Sequence, residues 1–280
     1  MFKRQTTGSV VCASCGYLVG VKDDRCYHCG RRNPGLWGFA PALRSLGQDL
    51  GFVPFVTGMS TIVFVISLLL STGNIGLEGF DFLSPAPCAT AQLGASGGFP
   101  VFTLHRWWTV LSASWLHGSL LHILFNMYGV RQLGPAVAEL YGPGRMVLVY
   151  LAGGVVGFAF SSFMGMLFYP PAAFHMTLGA SAAIFGLLGA AVYYGRRSGS
   201  RLVQSQAMYY AISMFVFGLF FTGIDNYAHA GGFAGGWLAG RLLDPLRPER
   251  INHMLVAVIC LALSLVSILV SFFVSLAPFC

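Results

Sequence analysis

Seven apolar runs constrain this chain more than any other feature. They fall at about 52–72, 115–138, 145–168, 179–195, 204–223, 227–243 and 254–276. Each is near the ~20 residues a helix needs to cross a hydrocarbon layer. A backbone in lipid must satisfy its own hydrogen bonds, so runs of this length read as helices. Composition agrees, with 56% of the 280 residues hydrophobic and 9% charged, against roughly a quarter charged in soluble domains. The fold class expected is an all-α polytopic membrane protein. No small-residue cleavage pattern follows the first run, so a cleaved signal peptide is not expected.

The net charge of +7 is scattered rather than gathered in a basic run. It therefore reads as topology, with the lipid bilayer as partner and no nucleic acid. With the N-terminus in the cytoplasm, fifteen of the sixteen Lys and Arg residues fall on cytoplasmic segments or helix ends, and only Arg106 lies outside. Arg131 is inside the second run but close enough to its cytoplasmic end to snorkel. The long segment 73–114 is then extracytoplasmic. Its "HRWWTVLSASW" reads as an interfacial helix with Trp107 and Trp108 at headgroup level.

Ionisable and strongly polar residues inside a membrane are costly and point to function. The second run contains "HGSLLHILFNM", with His122 and Asn126 at i, i+4 and His117 before them. The fourth contains "LGASAAIFG" around Ser181, and the sixth contains "AHAGGFAGG", where Gly232 and Gly236 share a face with His229. Runs four and six are rich in Gly and Ala, which lets two helices approach closely. All three runs begin on the outer side, so Ser181, His229, His122 and Asn126 can share one moderate depth. A serine hydroxyl needs a base to become a nucleophile, and histidine supplies one near neutral pH.

These three motifs, in this order, resemble the rhomboid intramembrane serine proteases. The resemblance covers residues 52–243 and implies a six-helix bundle, here with a seventh C-terminal transmembrane helix. It implies a catalytic Ser181–His229 dyad and an oxyanion hole built from His122, Asn126 and the Ser181 N–H. Gly179, Phe185, His117, Gly232 and Gly236 are implied supports. It also implies transmembrane protein substrates, and an inner membrane of a bacterial cell with the site opening to the extracytoplasmic side. The chain departs from the family in two places. Trp108 is followed by Thr109 where the family often has Arg, and Phe185 stands where some members have Tyr.

The N-terminal "CASCGYLVGVKDDRCYHCG" spaces Cys12, Cys15, Cys26 and Cys29 as C-x2-C-x10-C-x2-C. Two such knuckles read as a zinc ribbon, with four thiolates closing a structural site. A redox pair is the alternative. The organisation expected is a cytoplasmic zinc-ribbon-like domain at 1–35, a linker at 36–51, the core at 52–243, and a loop with the seventh helix at 244–280. No cofactor is expected for catalysis, and a cytoplasmic partner of the ribbon is conceivable. Two further functions compete. A catalytically silent escort would lack the serine or histidine, and a transporter would carry acidic residues deep in its spans, where only Glu139 at a cytoplasmic end is found. Asp225, four residues before His229, reads as a helix cap, with a triad acid as the alternative.

Overall fold

The computed structural model describes every residue except 1–3, 14, 46, 72, 169–174, 222 and 275–280. At the N-terminus, strands β1 (Ser9–Val11) and β2 (Leu18–Gly20) pair antiparallel with Val10 opposite Val19. Val10, Val19 and Val21 bury themselves against Cys12 and Cys26 as a small separate core. A short helix, α1 (Ala40–Arg44), follows.

The rest is helical. The long helices are α2 (Phe52–Leu69), α5 (Leu120–Tyr141), α6 (Pro143–Phe168), α7 (Ser181–Ser198), α8 (Arg201–Phe220), α9 (Asn226–Leu242) and α10 (Ile251–Phe273). Between α2 and α5 the described residues form two short α-helices, α3 (Pro87–Leu93) and α4 (Thr109–Ser112), and shorter 3₁₀ and π turns. Every expected apolar run holds a long helix. Among the described residues, only α2, α6, α8 and α10 are long and apolar enough to cross a membrane by themselves. The other three carry the polar residues singled out above. Of these, α7 is buried along most of its length. Wrapping a polar helix in apolar neighbours removes the need for a uniformly apolar sequence.

Glycine decides which helices form the centre. Gly153 of α6 and Gly186 of α7 meet so closely that a Cβ added to either would lie 2.7 Å from the other's Cα. A Cβ on Gly232 would overlap the Ala182 carbonyl oxygen, and one on Gly236 would overlap the Gly186 carbonyl oxygen. Backbone therefore packs on backbone among α6, α7 and α9, as small residues allow in a membrane. One buried side chain joins the periphery to this centre, and another ties the segment before α5 to α10. The Tyr141 hydroxyl of α5 donates to the Ala190 carbonyl at 2.9 Å, and Trp115 Nε1 donates to Ser264 Oγ of α10 at 3.1 Å. At the other end, Arg145 Nη1 donates to the Leu243 and Asp244 carbonyls, which ends α9.

The segment from His105 to Trp115 is not one interfacial helix. Arg106 is buried, and only the four-residue α4 and a 3₁₀ turn at Ala113–Trp115 are helical. Trp107 is exposed, while Trp108 turns inward and hydrogen-bonds Ser271 of α10. The guanidinium accounts for the difference. A buried Arg needs acceptors, and it finds them in carbonyls of α3 and α10 rather than in solvent.

Candidate active site

Ser181 is the first residue of α7, not one turn inside it. Gly179, at φ +118, takes a conformation that L side chains rarely adopt and sets the helix start two residues later. The approach to the serine is pinned at three points. Ser96 and Thr177 exchange backbone hydrogen bonds at 2.9 and 2.8 Å, and Gly179 N–H donates to the Ala113 carbonyl at 2.9 Å. Starting the helix at Ser181 has a chemical result. Its N–H belongs to the first turn, where no preceding carbonyl in the helix can accept.

His229 is the fourth residue of α9 and is buried. Its Nε2 lies 2.9 Å from Ser181 Oγ, and its Nδ1 lies 3.2 Å from Asn226 Oδ1. An amide oxygen only accepts, so Nδ1 carries the proton and Nε2 offers its lone pair to the serine hydroxyl. Phe185, one turn after Ser181, stacks on the imidazole with centroids 4.2 Å apart and planes 14° from parallel. The ring is thus fixed by a hydrogen bond at each nitrogen and an aromatic face.

Asp225 is the N-cap of α9. One carboxylate oxygen accepts from Ala228 N–H at 2.9 Å, and the other accepts from the Ser161 hydroxyl. Its backbone carbonyl accepts from the His229 N–H at 3.1 Å, but its carboxylate is turned to the helix end and Ser161 and not to the His229 ring. Asn226 makes that contact instead, and its role was not read from the sequence. The available signal was its i, i+3 spacing to His229, which puts both on one helix face.

His117, His122 and Asn126 sit differently from the even spacing of the sequence. Helix α5 begins at Leu120, capped by Ser119, whose hydroxyl accepts from His122 N–H at 3.3 Å. His117 therefore precedes the helix. It is buried, neither ring nitrogen has a hydrogen-bond partner, and it lies edge-on to His122 with centroids 5.2 Å apart. His122 is the third residue of α5, and its Nδ1 accepts from Gly118 N–H at 3.2 Å. Its proton is therefore on Nε2, which points at Gly179, where an added Cβ would come to 2.5 Å. Asn126 Nδ2 donates to the His122 carbonyl at 2.9 Å. That uses one of its two N–H groups.

The site thus brings Ser181, His229, Phe185 and Asn226 into direct contact and sets His122 against Gly179. Gly232 and Gly236 act on it through the packing of α9 against α7. On the chemistry alone, this is a membrane protein with a base-paired serine held among close-packed helices.

The N-terminal cysteines form a second candidate site. The sulfurs of Cys12, Cys15, Cys26 and Cys29 all lie within 4.8 Å of one another, with Cys12 to Cys29 at 3.8 Å and Cys15 to Cys26 at 3.6 Å. A tetrahedral ion with Zn–S bonds of about 2.3 Å would set its sulfurs roughly 3.8 Å apart. The four thiolates fit such an ion and can hold a metal. The two knuckles repeat one backbone pattern. Gly16 N–H donates to Cys12 O and Gly30 N–H to Cys26 O, while Cys12 N–H donates to Tyr17 O and Cys26 N–H to Arg31 O. The Cys29 backbone N–H draws the Cys26 thiol down to about 7, while burial pushes the Cys15 thiol up to about 12 and raises the Cys29 thiol. His28 stacks flat on Tyr17 with centroids 3.6 Å apart and is not part of the cluster.

Residues 104–246 match the rhomboid domain family, so the chain belongs to the rhomboid family. It is 34% identical over 163 residues to the rhomboid protease GluP of Bacillus subtilis, covering 57% of this chain and 31% of that protein. It is 29% identical over 218 residues to RHOMBOID-like protein 7 of Arabidopsis thaliana, covering 68% of this chain and 65% of that one. The inactive RHOMBOID-like protein 8 of the same plant is 28% identical over 212 residues. The chain thus spans between 31% and 65% of these relatives' own lengths. Family and helices together make it an integral membrane protein.

Proposed function

We propose that this chain is an intramembrane serine endopeptidase that hydrolyses peptide bonds in or near transmembrane segments of membrane proteins. The observation that carries this reading is the 2.9 Å contact of Ser181 Oγ with His229 Nε2, with the other ring nitrogen held by Asn226. Ser181 Oγ attacks the scissile carbonyl while His229 Nε2 takes its proton. His229 then returns that proton to the leaving amine, and a water repeats the sequence on the acyl-enzyme. The developing oxyanion is met by the Ser181 N–H, His122 Nε2–H and the second N–H of Asn126. Asn226 is a positioning residue, and Phe185 holds the ring. His117, Gly179, Gly232 and Gly236 shape the site without touching the reacting atoms.

The chain sits with its N-terminus in the cytoplasm and the site toward the extracytoplasmic side, as in a bacterial inner membrane. The ribbon at 1–35 holds zinc through Cys12, Cys15, Cys26 and Cys29, joined by the linker 36–51 to the core 52–243. The zinc is structural and lies across the membrane from the dyad, where the ribbon is placed to meet a cytoplasmic partner. A silent escort is disfavoured because both reactive side chains are present and in hydrogen-bond contact.

The test is cleavage of a single-span reporter in liposomes. Wild type cleaves it, and Ser181→Ala and His229→Ala each abolish turnover while remaining folded. A serine-directed fluorophosphonate labels Ser181. Singly replacing His122 or Asn126 by Ala lowers kcat by up to about 10²–10³ with little change in KM. Robust cleavage by Ser181→Ala would refute the assignment.

A further inference from the structure

Helix α10 lies beyond residues 104–246, the part of the chain that matches the family. Among the described residues, no hydrogen bond joins it to Ser181, His229, His122 or Asn126. Two of its serines nevertheless reach the segment that leads into the site. Trp108 Nε1 donates to Ser271 Oγ at 3.0 Å, and Trp115 Nε1 donates to Ser264 Oγ at 3.1 Å. The two tryptophans are seven residues apart, and so are the two serines, in opposite order. Seven residues are two turns of helix, about 10.5 Å. The stretch from Trp108 to Trp115 therefore runs antiparallel along one face of α10 and meets it twice at matched spacing.

An indole N–H only donates and needs an acceptor when water is excluded. Trp115, Ser264 and Ser271 are buried. The Ser264 oxygen is free to accept because its own proton goes to the Leu261 carbonyl of α10 at 2.7 Å. At the second pair, Arg106 Nη2 donates to the Ser271 carbonyl at 2.6 Å, which holds the end of α10 against the same segment. Between the two tryptophans lies Ala113, whose carbonyl accepts from the Gly179 N–H at 2.9 Å. Gly179 stands two residues before Ser181.

We propose that Ser264 and Ser271 of the seventh helix are positioning residues for the nucleophile. They hold Trp115 and Trp108, and through them aim the Ala113 carbonyl that fixes where α7 begins. The inference deepens the reading of Ser181 as a nucleophile and rests on it. Ser267 supplies the comparison. It is buried between the two serines on the same helix, and its hydroxyl donates to the Ser264 carbonyl within α10.

The full chain in liposomes is tested for reporter cleavage, for the rate at which a fluorophosphonate labels Ser181, and for hydrogen exchange at the Gly179 amide. Ser264→Ala and Ser271→Ala each leave an indole N–H without its acceptor. Each lowers kcat and the labelling rate by about tenfold with KM little changed, and exchange at Gly179 quickens in both. Trp115→Phe tests the same bond from the other side, and Ser264→Ala has no further effect in that background. Ser267→Ala leaves all three readings unchanged. Unchanged kcat or unchanged Gly179 exchange in Ser264→Ala and Ser271→Ala overturns the proposal. An equal loss in Ser267→Ala also overturns it, because the effect is then one of helix stability. A wild type that neither cleaves nor takes the label refutes the serine reading instead, and Gly179 exchange still decides whether α10 holds the segment.

Discussion

Gly232→Ala offers the sharpest measure of how far helix packing sets the chemistry. A Cβ at this position overlaps the Ala182 carbonyl oxygen and lies 2.9 Å from the Ala182 carbonyl carbon and 3.1 Å from its Cα. Non-bonded carbons pack at about 3.5–4.0 Å, so α9 must move from α7 by roughly 1 Å. Ala182 adjoins Ser181, and Gly232 lies one turn beyond His229, so the same movement opens the serine–histidine contact. A contact of 2.9 Å lengthened by ~1 Å is no longer a hydrogen bond. A misplacement of this size costs about 10² in rate, and the overpacking itself costs about 1–3 kcal/mol of stability. Reporter cleavage in liposomes and thermal unfolding in detergent measure the two effects. The expected variant is folded, melts at lower temperature and turns over about 10²-fold more slowly with a nearly unchanged KM. Gly58→Ala is the control, because nothing lies within 4 Å of an added Cβ there, and it leaves both measurements unchanged. Wild-type turnover by Gly232→Ala would refute the link from glycine packing to dyad geometry.

Three other outcomes follow from named contacts. Asn226→Ala removes the acceptor at His229 Nδ1 and lowers kcat by roughly tenfold or more with KM little changed; an unchanged kcat would reduce Asn226 to a surface residue of α9. Asp225→Asn keeps an oxygen for the Ala228 N–H and retains activity within roughly tenfold, whereas a folded variant losing ~10⁴ would make Asp225 a triad acid. Purified protein carries about one zinc by elemental analysis, and Cys12→Ser with Cys15→Ser removes it while reporter cleavage largely survives; metal-free wild type would refute the ribbon, and complete loss of activity on chelation would refute its independence from the site.

Periodicity and residue type were sufficient for much of this molecule. Apolar runs near twenty residues located all seven long helices, because lipid leaves a backbone few alternatives. The C-x2-C spacing marked four sulfurs that the structure gathers, since a short knuckle brings its own two cysteines together. The serine, histidine and asparagine motifs were visible because polar side chains are rare in such a composition. Helix starts were not visible. Ser181 reads as one turn inside its helix and proves to be the first residue, and α5 begins at Leu120 rather than at Trp115. Both boundaries depend on distant partners, Ala113 for Gly179 and Phe82 for Leu120, which no local pattern encodes. The same holds for the groups that order the site. The Asn226 side chain rather than the Asp225 carboxylate reaches the His229 ring, because capping turns the carboxylate back to its own helix end. Arg106 looks like a lone outer charge in the sequence, yet it is buried where two chain-distant carbonyls converge. Local pattern marked which segments are helices and which polar side chains stand out within them, because both follow from the solvent and from residue type. Tertiary structure alone decided which atoms meet, because a hydrogen bond of 2.9 Å depends on the packing of backbones far apart in the chain.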